Sequence, residues 1–399
     1  MSSVSSLGYR NFENQEHEQR KEYQQLYQRL NNNMSKLIGV KHNIQIHHTK
    51  LRLLGNEIMQ QINCSPATAT EISNHLVDAD LSGIHSHGTI RLSQYVQQYK
   101  LNLWTPSASP ILYKSKSSGM VVDGQDCIGI VAVRRGVQFA VDQALKKDSA
   151  GIACIGVMNC GHTGRIGVFA EEGARRNCLT FVIGGGSRKK WRQVAPFGGT
   201  KGLLPTNPYA ISIPGDVYGP VTIDFATGAT AGGWVMAANK SNATLKKGLI
   251  IDQHGRATVN PKDYINGGAL LPAAGSKGYG LGLMAELIAY TMLGEVTKEA
   301  GLGLNTFIVA VDTSRFRDPL DMLKASSEIL KEVRACPPDV AGGFEKVEVP
   351  GQRENEMVNK KMRNGGYVDL PEGIWNDIVK TAVRLGVENV PNVEVRSNM

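Results

Sequence analysis

The spacing of apolar residues changes along the chain and predicts helical and sheet regions in turn. Between residues 40 and 99 the spacing is helical, as at Leu51, Leu54, Ile58 and Ile62. Ser65-Pro66 marks a second helix start, because serine caps a helix and proline suits its first turn. A third helix is predicted from Ile90 to about Leu101.

Short β-rich runs punctuated by glycine and proline follow between residues 111 and 265, which indicates an α/β sheet domain. They are Gly119–Val122, Ile152–Val157, Leu179–Ile183, Tyr209–Ile213 and Val221–Phe225. A helix over Val133 to about Lys147 interrupts them. Beyond the runs, the pattern predicts a strand at Phe307–Val311 and three helices, over Gly278–Met292, Leu320–Val333 and Trp375–Leu385.

The first 38 residues differ from the rest, since they are rich in Gln, Asn and Glu and predict a polar N-terminal extension. Residues 1–40 lack the apolar core of a secretory signal, and acidic residues interrupt the basic ones, unlike a mitochondrial leader. No uninterrupted apolar run approaches the length that a bilayer requires. We therefore expect a cytoplasmic protein with no membrane partner.

Composition narrows the function classes. A chain of 399 residues predicts two domains. The net charge of +8 (44 Lys and Arg minus 36 Asp and Glu) is spread along the chain, which indicates solubility or attraction of anionic small substrates rather than nucleic-acid binding. The six cysteines form no CxxC pair and match no zinc or disulfide pattern, so free thiols are expected.

Two histidines stand in the motif Gly83-Ile-His-Ser-His-Gly88. No Cys, His and Glu set completes a catalytic zinc site, and the strained turn of a serine nucleophile is absent. The remaining functional role for His85 or His87 is proton transfer. From their position alone, that role and simple capping of the next helix are equally well supported. Arg91 and Tyr95 lie four residues apart, which places them on one helix face beside the histidines.

A third histidine, His162, lies in a glycine-rich loop between a strand and a helix. Asn159, Gly161, Gly164 and Gly167 surround it. Glycine at these positions lets the backbone approach a ligand closely. The loop therefore favours a functional role for His162.

Two further segments could bind anions. Arg188, Lys189, Lys190 and Arg192 follow a glycine turn and could clamp a nucleotide phosphate, although a solvated basic loop explains such runs more often. Gly278-Tyr-Gly-Leu-Gly282 fails the dinucleotide fingerprint, because its third glycine comes one residue early. It can still bind an anion at a helix start with Lys277, or serve close helix packing.

These motifs, with several others in a fixed order, resemble the malate/L-lactate dehydrogenase family of non-Rossmann NAD(P)-dependent oxidoreductases. That family includes ureidoglycolate and sulfolactate dehydrogenases and piperideine-2-carboxylate reductases. The matching blocks cover roughly residues 40 to 390 and are Ala79–Gly88, Gly161–Gly167, Ala195-Pro-Phe-Gly-Gly199, Pro205-Thr-Asn-Pro208, Ile223–Gly228, Leu271–Leu281 and Val349-Pro-Gly351.

The resemblance implies a homodimer of α/β (α+β) subunits. In each, a mainly antiparallel sheet domain would bind the cofactor, and a helical domain built from both chain ends would close the site. The implied limits are 116–294 for the sheet domain, and 39–115 with 295–399 for the helical, substrate-binding domain.

The resemblance also implies residue roles. Ser86, His87, Arg91 and Tyr95 would surround the substrate, and His162 would exchange the proton, with His87 as the alternative acid. The cofactor, NAD or NADP, would be held by Gly186, Ser187, Arg188, Pro196, Gly198, Asp224, Phe225, Ala226, Lys277 and Gly278. No metal is expected. Cys160 stands where serine is common, and Gly233-Trp234 where many members have Gly-Lys.

The sequence therefore predicts a dehydrogenase that transfers hydride between nicotinamide and C2 of a small 2-hydroxy or 2-oxo acid. The substrate would be malate-, lactate- or sulfolactate-like, and the cofactor performs the chemistry while the protein positions it. Two alternatives stay open: a cyclic-imine reductase of the piperideine-2-carboxylate type, and a catalytically silent nucleotide-binding protein.

Overall fold

The protein is described from a computed structural model. It describes residues 42–114, 119–186, 188–240, 243–294, 302–338, 340 and 344–397. The predicted N-terminal extension, residues 1–38, lies outside this part of the chain.

The largest element is a seven-stranded sheet in the order β2-β3-β4-β11-β5-β6-β7. Its strands are β2 (Ile111–Lys114), β3 (Met120–Asp123), β4 (Ile152–Cys160), β5 (Cys178–Gly185), β6 (Tyr209–Asp216), β7 (Gly219–Phe225) and β11 (Leu304–Asp312). Only β3 and β4 pair in parallel, and the other five pairings are antiparallel. The mainly antiparallel sheet implied by the resemblance is confirmed.

Strand β11 lies at the centre of this sheet, between β4 and β5. Its backbone pairs Phe307 with Gly156 on one side and with Ile183 on the other. Together with β2 it lies outside the range 116–294 predicted for the sheet domain. The sheet thus draws on residues from the range predicted as helical, because strand pairing joins segments far apart in sequence. The division into domains stays a prediction.

Two helices after β3 and β4 pack on the sheet. They are α4 (Gly129–Ala144) and α5 (Gly167–Ala174). The buried face of α4 carries Val133, Val137 and Val141 at helical spacing, and these residues belong to the main hydrophobic core. The loop between β4 and α5 therefore joins two elements that are both fixed in the packing of the sheet.

The first and last strands of the described chain meet in a three-stranded sheet. Here β1 (His42–His47) pairs with β12 (Tyr367–Pro371) and β13 (Glu394–Ser397), antiparallel on both sides. The adjoining helices are α1 (His48–Gln60), α2 (Pro66–Leu81) and α3 (Arg91–Lys100), which the sequence predicted. Strand β1 was not predicted, since this region was interpreted as helical throughout.

A smaller lobe holds α6 (Gly232–Lys240), α7 (Pro261–Ile265) and a second three-stranded sheet of β8 (Ile250–Ile251), β9 (Ala257–Thr258) and β10 (Ala269–Leu270). Helix α8 (Ser276–Glu286) continues into a π-helical turn, Leu287–Met292. The remaining helices are α9 (Pro319–Ala335), α10 (Gln352–Arg363) and α11 (Glu372–Arg384).

Within the described residues, the helices are all too short or too polar to cross a membrane. The cytoplasmic location that the sequence suggests remains a prediction.

Candidate active site

His162 lies in the loop that joins β4 to α5, and its ring is held from two sides. The hydroxyl oxygen of Tyr95, on α3, lies 2.9 Å from His162 Nδ1. The backbone N–H of Gly164 donates to the same nitrogen at 3.2 Å. Gly164 has φ +67°, a left-handed conformation that glycine adopts at little cost. An acceptor at Nδ1 leaves the ring proton of neutral His162 on Nε2.

Helix α2 fixes the same loop from the other side. His75 is buried and stacks on Phe169, and its Nε2 accepts the backbone N–H of Arg165 at 3.1 Å. A Cβ atom on Gly164 would collide with the His75 ring. This close approach explains why the loop needs glycine beside His162.

The second histidine motif forms a short 3₁₀ turn, His85–His87, between α2 and α3. Asp80, buried at the end of α2, anchors it. One carboxylate oxygen accepts both the backbone N–H and the hydroxyl of Thr89, at 2.8 and 2.6 Å, while the other lies 2.9 Å from His85 Nδ1. His85 is therefore tied to Asp80, and His87 is the member of the pair that lines the cavity described below.

The rings of His87 and His162 are stacked nearly parallel, with ring centroids 5.7 Å apart and 13° between the ring planes. Desolvation, with Arg91 and Arg165 nearby, lowers the pKa of His87 to about 3. Desolvation, then Arg91, His87 and His75, lowers the pKa of His162 well below its usual value. Both rings are consequently neutral near neutral pH, which removes the repulsion that two stacked imidazolium ions would have.

Arg91 begins α3 and is buried beside the two histidines. Its Nε donates to the backbone carbonyl of Ser86 at 2.6 Å, and its Nη1 donates to Gln94 Oε1 at 2.5 Å. Ser86 Oγ lies 3.0 Å from His87 Nδ1. A guanidinium carries five N–H donors in a fixed plane, so these contacts hold Arg91 rigid while it retains donors for an anion.

These side chains line one cavity of about 390 Å³, a size typical of small-molecule sites. Ser86, His87, Arg91 and His162 all contribute to its lining. Tyr95 is fully buried behind His162 and is not part of that lining. Desolvation raises the pKa of its hydroxyl, so Tyr95 stays protonated beside the ring.

The opposite wall comes from the central sheet. Gly184 and Gly185 of β5, the loop Pro205–Pro208, the end of β7 and the start of β11 line it. Asp224 Oδ2 accepts the Gly167 backbone N–H at 2.8 Å, and desolvation raises the pKa of this carboxyl to about 6. The cavity thus lies between the histidines on one wall and the glycine-lined ends of central strands on the other.

Comparison with protein families supplies the deciding observation, since the model for malate/L-lactate dehydrogenase matches residues 46–379. The chain belongs to the malate/L-lactate dehydrogenase family. It is 28% identical over 341 residues to a malate/(S)-sulfolactate dehydrogenase of Methanothermus fervidus, covering 83% of this chain and 95% of that one. It is also 28% identical over 325 residues to the NAD(+) ureidoglycolate dehydrogenase of Escherichia coli K12, covering 79% and 89%.

The fold agrees with that membership. A crystal structure of malate dehydrogenase from Entamoeba histolytica superimposes with a TM-score of 0.79 at 22% identity. The match covers 88% of this chain and 99% of the other. The α/β class and the resemblance predicted from the sequence are both confirmed.

The sheet-side wall fits the nicotinamide cofactor that the family implies. Asn207 Oδ1 and Thr306 Oγ1 are buried with no hydrogen-bond partner among the described residues, and both residues line the cavity. Leaving such atoms unpaired is costly, and a carboxamide can pair with them. At Gly185 a Cβ would press on Asn207 Nδ2 and the Ala285 carbonyl, so glycine lets the strand pack closely against Asn207 and the end of α8.

The loop after β5 is tied down by one buried carboxylate. Glu286, at the end of α8, accepts the backbone N–H of Gly186 at 2.9 Å, that of Arg188 at 3.0 Å and Asn207 Nδ2 at 2.9 Å. The Arg188 guanidinium and the Lys189 ammonium lie 5.0 and 5.6 Å from the ring centroid of Tyr290. Both residues are exposed to solvent, and both cations lie within reach of a cation–π contact with the one ring.

The cofactor residues predicted from the sequence are only partly gathered here. Asp224, Phe225 and Ala226 line the cavity. Gly186 and Arg188 belong to the adjoining loop, and Ser187 lies outside the described residues. The residues of the sequence prediction that do not line the cavity are Pro196, Gly198, Lys277 and Gly278. A Cβ on Gly278 would collide with the Ala273 carbonyl, so close packing accounts for that glycine.

Three residues that organise the site were given no role from the sequence: His75, Asp80 and Glu286. Each is a titratable side chain that is buried within a helix. That placement is the available signal, since a buried polar group has a partner to satisfy. Among the described residues, no three His, Cys, Asp or Glu side chains are grouped as metal ligands.

Proposed function

We propose that the protein is a nicotinamide-dependent dehydrogenase that interconverts a small 2-hydroxy acid and its 2-oxo acid. The observation that carries this proposal is the convergence of His162, backed by Tyr95, and the Arg91 guanidinium on one cavity with a glycine-lined wall. The curated relatives, named as dehydrogenases of hydroxy acids, support it. When bound, the nicotinamide supplies hydride transfer at its C4, and the protein supplies the positioning.

Arg91 would pair with the substrate carboxylate. Its contacts to Ser86 and Gln94 fix the plane of the guanidinium before substrate arrives. A preorganised planar fork suits a carboxylate better than a flexible ammonium does.

His162 would exchange the proton with the C2 oxygen through Nε2. The Tyr95 hydroxyl can donate to Nδ1 or accept from it, so it can accompany both the neutral and the charged ring. Arg91 is one cause of the low pKa of His162, and a carboxylate bound to Arg91 would offset that charge. Substrate binding would then raise the pKa of His162 towards the range useful for acid–base catalysis.

To test this function, a panel of 2-oxo acids and cyclic imines is assayed as substrates. Turnover is measured as the fall in absorbance of the reduced cofactor. Turnover of 2-oxo acids supports the proposal. Turnover of imines alone would replace it with an imine reductase, and cofactor binding without any turnover would indicate a silent nucleotide-binding protein.

We also propose a preference for NADP(H). Arg188 and Lys189 lie together on Tyr290, and two neighbouring cations are stabilised by a dianionic phosphate. A charge-assisted contact contributes about 1.5–3 kcal/mol, or roughly one to two decades of affinity. The double variant Arg188→Ala/Lys189→Ala should lose that much NADP(H) affinity and little NAD(H) affinity in a binding titration.

The exposed Lys247 provides a matched control, because Lys247→Ala removes a cation far along the chain from this loop. Higher ionic strength should reduce the preference of the wild type for NADP(H) over NAD(H), because salt screens the contact with the phosphate. Unchanged NADP(H) affinity in the double variant would leave the basic run as a solvated loop.

A homodimer is proposed as the assembly. Helix α8 and its π-helical turn expose four large apolar side chains, of Leu281, Met284, Leu287 and Met292, between 41% and 57% accessible. Several large apolar side chains exposed on one helical segment are typical of a surface that binds a partner. A measured mass in solution of twice the 43.2 kDa chain is expected, and a monomer at micromolar concentration would contradict it.

A further inference from the structure

The charges around the cavity are few. Within the described residues, its charged lining consists of Arg91, Arg165 and Asp224. Any anionic group on a substrate must find its counter-charge among these, because a buried charge without a partner is strongly destabilising.

Arg165 is already neutralised by the protein. Its Nη2 lies 2.6 Å from Glu171 Oε1, and both side chains are buried. Its Nε faces Asp224 Oδ2 at 4.0 Å. Glu171 also pairs with Arg175 at 3.4 Å, so the four side chains together carry balanced charges and leave no positive charge for a second anion.

The histidines add no positive charge in the resting site. Desolvation is the main cause that lowers the pKa of both His87 and His162, and the charge of Arg91 adds to it, so both near-parallel rings are neutral. Arg91 is thus the one cation of the described lining without a carboxylate already paired to it.

Neutral side chains make up the rest of the wall beside Arg91. Gln94 and Gln98 follow it on α3 at three- and seven-residue intervals and line the same cavity. Ile84 and Trp191 add apolar surface. Carboxamides can bond a neutral polar group or pack along an apolar one, but they cannot balance a charge.

We infer that the substrate carries one anionic group, its carboxylate, and a neutral tail. This rests on the 2-hydroxy acid function proposed above and narrows it: lactate-like monocarboxylates, including those with amide or ureido tails, would be favoured over dicarboxylates and sulfo acids. Malate, which appears in the name of one relative, is a dianion. Its second carboxylate would lie against carboxamide and apolar side chains, with no cation to balance it.

A matched pair of substrates tests this. Malate and its 4-amide have the same number of heavy atoms and differ by one charge on the tail. The amide should show kcat/KM at least about tenfold higher, since leaving a buried charge unpaired costs more than 1.4 kcal/mol. Both compounds are hydroxy acids and do not react with the reduced cofactor. Calorimetry on the complex of the protein with reduced cofactor therefore measures the ratio of their affinities without turnover, and the same preference for the amide is expected.

The two failures are distinguishable. Equal or higher kcat/KM for malate, or tighter binding of it, overturns the inference while leaving the dehydrogenase function intact. If neither compound is bound or turned over and simple 2-oxo acids are also inert, the proposed function fails and this inference with it.

A charge insertion gives a second readout. Gln98→Lys adds a cation to the cavity wall and should shift the ratio towards malate by about tenfold or more. Gln97→Lys adds the same charge to the same helix outside the lining and should leave the ratio unchanged. If Gln98→Lys does not fold, the wild-type ratio alone decides the inference.

Discussion

Replacing His162 by alanine should lower kcat by roughly 10²–10⁴-fold, the loss typical of a missing acid–base group. The ring is held by Tyr95 and Gly164 with its proton on Nε2, so alanine removes the proton carrier and leaves the Arg91 contacts in place. Cofactor affinity should therefore change little. Steady-state kinetics with a turned-over 2-oxo acid, and a cofactor titration, measure the two quantities separately.

The stacked partner His87 is the matched control for that experiment. It lines the same cavity and is linked to Ser86, but it lacks the hydrogen bond from Tyr95. His87→Ala should raise KM at least as much as it lowers kcat. If instead His87→Ala abolishes turnover while His162→Ala mainly raises KM, the catalytic role belongs to His87.

Replacing Arg91 by lysine should raise KM for the 2-oxo acid by roughly 10- to 100-fold, although the charge is kept. Lysine cannot reproduce the contacts to the Ser86 carbonyl and the Gln94 carboxamide together with a paired contact to a carboxylate. A charged hydrogen bond contributes about 1.5–3 kcal/mol, which gives this range. Initial rates over a substrate series, at saturating cofactor, provide the measurement.

An exposed arginine distinguishes this effect from a general cost of the substitution. Arg353 has a side chain 65% accessible, and Arg353→Lys should leave KM unchanged. Unaltered cofactor affinity is expected in Arg91→Lys. An equal loss of cofactor binding would make Arg91 a structural or phosphate contact instead.

Local pattern was enough to predict much of the fold. The strands at 152–160, 178–185 and 209–216 were predicted near their observed positions, since their apolar residues and flanking glycines define them. The central position of Leu304–Asp312 in the sheet was not predicted. This strand pairs with β4 and β5, which lie more than a hundred residues earlier in the chain. Strand β1 was missed for the same reason, as its partners lie at the C-terminal end.

In the site, too, the local motifs could be predicted from the sequence and the long-range contacts could not. The motifs around His87, Arg91 and His162 were visible as short-range patterns, and the structure brings them to one cavity. The contacts that hold them come from elsewhere in the chain: His75 on the His162 loop and Glu286 on the loop at Gly186. Lys277 and Gly278 looked functional beside a helix start, but the packing of Gly278 against Ala273 explains that glycine.

The central claim is that this cavity passes hydrogen between a nicotinamide and C2 of a 2-oxo acid. Its most direct test is turnover of a monocarboxylic 2-oxo acid with reduced cofactor that carries deuterium at both C4 positions, so that transfer from either face delivers the label. Mass spectrometry of the product then reads the label. The account predicts a 2-hydroxy acid with one deuterium at C2, and loss of that product in His162→Ala. A 2-hydroxy acid without the label, or bound cofactor and no product with any 2-oxo acid, would contradict it.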